Sequence, residues 1–130
     1  MAIVSAGRLL CRLTELADPG SKGVRLEPEG LALLVVRRGG DVWAYRNACP
    51  HTGAPMEWLP DQFLNYDQTL IQCALHGAQF LIENGYCIYG PCSGQSLGAV
   101  AVEVQDGDVL LAADVSADRH FMRHCPPSSG

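Results

Sequence analysis

A chain of 130 residues suits a single domain, and at 48% hydrophobic it can build a core without disulfide support. A net charge of −5, with no Lys/Arg cluster, argues against a nucleic-acid surface. Gly 14, Pro 8 and only 18% charged residues favour a turn-rich all-β domain over a helical bundle, and no apolar run is long enough to span a bilayer.

Arg8 to Leu13 reads as a first strand, and Thr14 to Leu16 as one helical turn closed by Asp18-Pro19-Gly20. Leu31 to Arg37 is a strongly apolar strand. Gly39-Gly40-Asp41 turns it into Val42 to Arg46, a hairpin that delivers the chain to Cys49. Met56 to Tyr66 reads as an irregular excursion. Leu70 to Cys73 is a short strand, Ala78 to Ile82 a second, and Asn84-Gly85 turns it into Tyr86 to Tyr89. Gly90-Pro91 breaks that strand. Leu97 to Val104 and Val109 to Ala112 form a last hairpin around Asp106-Gly107. The composition turns polar from about residue 115. The chain therefore reads as one domain over residues 1–130 with a frayed tail. The first ten residues show no basic segment ahead of a long apolar run, so a cytoplasmic protein is expected.

Two short segments carry the chemistry. Cys49-Pro50-His51 and Cys73-Ala74-Leu75-His76 each place a thiol and an imidazole within a few residues, and each is followed closely by Gly. Residues 52–72 separate them, enough chain for two loop tips to meet over one metal centre. Soft thiolates suit iron in sulfide clusters. Neutral imidazoles in place of two thiolates remove negative charge from one iron and make reduction easier. The same Cys₂His₂ set also suits a single zinc ion, although short loops here replace a finger helix.

From about Arg8 to Ala113 the chain resembles the Rieske ferredoxins, the electron carriers of ring-hydroxylating oxygenase systems. The resemblance is carried by residues 42–47, by residues 49–55, by Cys73 with residues 76–80, and by Gly90-Pro91. It implies an all-β, antiparallel β-sandwich with a small cluster-binding subdomain formed by two ligand loops. It implies one [2Fe-2S] cluster held by Cys49, His51, Cys73 and His76, with the two Cys on the buried iron and the two His on the outer one. Gly90-Pro91 would be a third loop covering the cluster. The implied function is that of an electron carrier that is not an enzyme on its own. It would take electrons from a flavin or NAD(P)H-linked reductase and pass them to an oxygenase or similar acceptor, with neither nucleic acid nor membrane as partner.

Departures from related patterns set the subtype. Rieske proteins of quinol-oxidising complexes carry an extra Cys in each loop, where this chain has Ala54 and Leu75. They also carry Ser and Tyr where this chain has Ala78 and Phe80, which have no hydroxyl to donate toward the cluster. Fewer such hydrogen bonds lower the potential, which places the expectation near the low end of the range, about −150 mV. Met56 to Tyr66 is the expected insertion. Two alternatives stand beside the carrier: a Rieske-type small subunit or regulatory module working only inside a larger enzyme, and a zinc-binding interaction domain.

The remaining candidates read as structural. Cys11 and Cys87 are expected core thiols, and Cys92 a small packed residue near the third loop. His120, His124 and Cys125 have helical ligand spacing but lie in the polar tail. Trp43 and Tyr45 are expected to pack near the loop base, and Asp61 and Asp67 to be loop charges. No Ser/His/Asp or paired-carboxylate arrangement for hydrolysis is evident.

Overall fold

The computed structural model describes residues 3–27, 29–48, 63–73, 77–90 and 94–116. Among them the regular structure is antiparallel β-sheet with one 3-10 turn at Leu13–Glu15. In chain order the strands are β1 (Ile3–Val4), β2 (Leu9–Arg12), β3 (Gly20–Leu26), β4 (Leu31–Arg38), β5 (Asp41–Arg46) and β6 (Leu70–Gln72). They continue with β7 (Gln79–Leu81), β8 (Cys87–Tyr89), β9 (Ala99–Val100), β10 (Val102–Gln105), β11 (Asp108–Leu111) and β12 (Val115–Ser116).

A central sheet of order β3-β4-β5-β9 has a layer on each face. Side chains alternate along a strand, so β4 sends Leu31, Leu33 and Val35 one way and Leu34 and Val36 the other. The first set joins Leu10, Cys11, Val100, Val109 and Leu111 in one core layer, under the sheet β10-β11-β2. The second set joins Phe63, Ile71, Cys73, Phe80, Ile82 and Cys87 in the other, under the sheet β6-β7-β8. Burial on both faces is why β4 is an unbroken apolar run rather than an alternating one.

Several elements differ from the sequence reading. Gly20–Leu26 is a strand paired with β4 along its whole length, although Gly-Ser-Lys-Gly has little strand character. The stretch Leu97 to Val104 is two strands. Residues 99–100 pair with β5 and residues 102–105 pair with β11, so the chain changes sheets at Ala101. The turn Asp106-Gly107 has positive φ at both residues (51° and 81°), the backbone that a two-residue hairpin with native twist requires. Val115–Ser116 pairs with Ile3–Val4, and Val115 is buried, so the folded sheet structure runs through Ser116. Within the expected excursion, Leu64 bridges Ile71 and Phe63 is fully buried. Residues 56–62 lie outside the described residues. No helix among the described residues is long and apolar enough to cross a membrane.

Candidate metal centre

Of the four expected ligands, Cys73 lies within the described residues, and Cys49, His51 and His76 lie outside them. The same holds for Asp61, Pro91, Cys92, His120, His124 and Cys125. Among the described residues no group of three His, Cys, Asp or Glu gathers as a metal site.

The approach to Cys49 is fixed by the central sheet. The Arg46 N–H donates to the Gly98 carbonyl at 2.8 Å, and the Asn47 N–H donates to the Ala32 carbonyl at 3.0 Å. Arg46 is buried, and its stem fills the space over Gly98, where a Cβ would come within 3.0 Å of the Arg46 Cδ. These bonds hold the backbone up to Ala48, immediately before the first ligand segment.

The second segment hangs between β6 and β7. Cys73 is fully buried at the end of β6. Its N–H donates to the Ala78 carbonyl at 2.8 Å, and its carbonyl accepts the Gly77 N–H at 3.1 Å. Gly77 takes φ +66°, which closes the loop without a Cβ penalty. On the other side of β6 the Gln72 N–H donates to the Phe63 carbonyl at 2.8 Å. The thiol-bearing residue therefore sits at the neck of a loop tied across its base.

The third segment is tied in the same manner. The Cys87 N–H donates to the Gln95 carbonyl at 2.7 Å, and the Gly94 N–H to the Cys87 carbonyl at 3.3 Å. Gly90, at φ +103°, presses its backbone against Ala78 at the base of the second loop. The Cys87 thiol donates to the Tyr89 carbonyl at 3.3 Å and lies in the same core layer as Cys73, as expected of a packed thiol. Cys11 is buried in the opposite layer, likewise as a core residue.

Tyr45 is buried, and Trp43 is half-buried with the Arg38 guanidinium 5.3 Å from its ring centroid. Both are packing residues, as expected, but their side chains lie toward the turn 82–85 rather than the base of the Cys73 loop, and reading Tyr45 as packing alone misses its hydroxyl, which donates to the Ile82 carbonyl at 2.5 Å. A phenol in an apolar strand pattern is the signal that could have found it, since a buried hydroxyl needs a partner.

These features fit an iron–sulfur group. A buried Cys at a tied loop neck would keep water from a thiolate–metal bond, and the sequence supplies two thiols and two imidazoles in matching segments. A model of the Rieske [2Fe-2S] domain matches residues 8–113. Ferredoxin CarAc of Metapseudomonas resinovorans is 34% identical over 91 residues, covering 69% of this chain and 79% of that protein. The 3-phenylpropionate/cinnamic acid dioxygenase ferredoxin subunit of Photorhabdus laumondii is 26% identical over 102 residues, covering 78% and 90%. Among solved structures, the Sphingomonas yanoikuyae B1 ferredoxin superposes with a TM-score of 0.67 at 27% identity, over 82% of this chain and 97% of that one. The family match takes in both ligand segments and every described strand from β2 to β11, so the chain belongs to the Rieske [2Fe-2S] domain family and its cofactor is a [2Fe-2S] cluster.

Proposed function

We infer that this chain is a single-electron carrier whose cluster is held by Cys49, His51, Cys73 and His76. The observation that carries this reading is the family match over residues 8–113, within which all four donor residues are present. The cluster, when bound, supplies a one-electron couple. The protein supplies the rest. Cys49 and Cys73 contribute negative charge as thiolates, and His51 and His76 bind as neutral imidazoles, which raises the potential above that of an all-Cys cluster. The buried neck at Cys73 limits water at the thiolate side, and the tied loop bases limit rearrangement on electron transfer. Electrons arrive from a flavin or NAD(P)H-linked reductase and leave to an oxygenase. The acceptor class is supported by the relative that is a dioxygenase ferredoxin subunit. Residues 1–130 act as one domain in this reading, in the cytoplasm.

The test is electron paramagnetic resonance of the dithionite-reduced protein together with its iron and sulfide content. A rhombic signal with a low average g value, and equal iron and sulfide, is the expected result. A colourless, silent protein containing zinc would replace the carrier with a structural module. Changing either His51 or His76 to Ala should abolish the signal, and its survival would remove that residue from the ligand set.

A further inference from the structure

The sheet β6-β7-β8 carries the Cys73 loop at one end and the turn 82–85 at the other. That turn is bound at three points to β5 and to the segment that leads into β9. The buried Tyr45 hydroxyl donates to the Ile82 carbonyl at 2.5 Å. The Tyr45 ring occupies the space left by Gly85, where a Cβ would stand 2.8 Å from the Tyr45 Cε1. The Leu97 N–H donates to the Gly85 carbonyl at 2.9 Å. Outside these, Arg38 meets Glu83 at 2.6 Å, but both side chains are exposed and an exposed pair adds little.

Between this anchor and the metal site lies one short strand. β7 joins Ala78, whose carbonyl accepts the Cys73 N–H, to Ile82, whose carbonyl accepts the Tyr45 hydroxyl. Four extended residues cover about 13 Å, so a tilt of about 5° at the turn moves the loop end by about 1 Å. A phenylalanine at position 45 would fill the same volume and bring no polar group to bury. The hydroxyl adds a directional bond to the far end of the strand that leaves the Cys73 loop.

We propose that the Tyr45 hydroxyl is a positioning group for the cluster. By holding Ile82, it fixes the base of the Cys73 loop, where the Cys73 N–H meets the Ala78 carbonyl and the Gly77 N–H meets the Cys73 carbonyl. The proposal rests on the ligand reading above. Hydrogen bonds from backbone amides tune a cluster's electronic structure, so a displaced loop alters its spectrum as well as its retention.

The experiment compares holoprotein carrying Tyr45→Phe with Val109→Ala, a truncation in the opposite core layer. Melting temperature, the spectrum of the reduced protein and the rate of iron release to a chelator are measured for each. Tyr45→Phe should shift or broaden the paramagnetic signal and release iron several-fold faster, while Val109→Ala lowers the melting temperature and leaves both unchanged. Gly85→Ala drives a methyl group into the Tyr45 ring and should give the Tyr45→Phe signature by a second route. A wild-type spectrum and release rate in both Tyr45→Phe and Gly85→Ala would overturn the proposal. So would changes that track melting temperature alike in all three variants. A wild-type protein that holds no cluster would instead bring down the ligand reading itself.

Discussion

Gly90 lies directly against Ala78: a Cβ on Gly90 would stand 2.8 Å from the Ala78 Cα and 3.0 Å from its Cβ. The contact joins the segment after β8 to the residue that closes the Cys73 loop. Gly90 also adopts φ +103°, where an L side chain is strained. Gly90→Ala therefore meets two penalties, a backbone conformation that costs about 1–3 kcal/mol and a clash with a backbone atom that cannot rotate away. Thermal melting should show a fall of about 10 °C, on the scaling for a domain of this size. Cluster absorbance should decay faster as the two loops separate. An unchanged melting point would mean that the third segment does not rest on Ala78.

Cys11 tests the other core layer. It is buried, and its thiol is pushed up to about 11, first by burial and then by the negative charge of Glu15, with Lys22 opposing. The thiolate is the nucleophile, and about one molecule in a thousand would carry it at pH 8. Native protein treated with iodoacetamide at that pH should retain an unmodified Cys11 peptide by mass spectrometry, and denatured protein should lose it. Rapid labelling of the native chain would show that β2 opens from the sheet far more often than its burial implies.

Much of this architecture was legible in the sequence where one physical cause dominates. The apolar run of β4 reads as a strand, and Asp106-Gly107 reads as a tight turn between strands, as the structure has them. The donor segments at Cys49 and Cys73 stood out because thiol and imidazole recur together at short spacing. What stayed hidden depends on partners distant in sequence. β3 is made a strand by seven residues of pairing with β4, which outweigh the weak strand character of Gly20 and Gly23. The sheet change at Ala101 follows from β5 and β11 each claiming one part of a continuous apolar segment. The closeness of Gly90 to Ala78, and of Tyr45 to Ile82, arises only when the layers assemble.

The Tyr45 phenol makes a pH prediction with a definite sign. In the folded chain it is pushed up to about 12, first by burial and second by the negative charge of Glu83, whereas the unfolded phenol ionises near 10. The native state thus holds the proton more tightly than the unfolded state. The associated stability is complete below pH 10 and is lost as pH rises from 10 toward 12. Holding the proton across that window is worth about 3 kcal/mol. Ionisation also removes the hydrogen that the hydroxyl donates to the Ile82 carbonyl, so the lost stability is concentrated at the anchor of the cluster-side sheet. Denaturant unfolding of wild type and Tyr45→Phe between about pH 9 and 12 isolates this contribution, because Cys11 and the other alkaline groups titrate in both. The stability of wild type relative to Tyr45→Phe should fall steadily through the window, by about 3 kcal/mol in all, and reverse in sign before its upper end, because one neutral hydrogen bond adds only about 1 kcal/mol at the start. Two curves that fall in parallel would show that the phenol ionises without coupling to the fold.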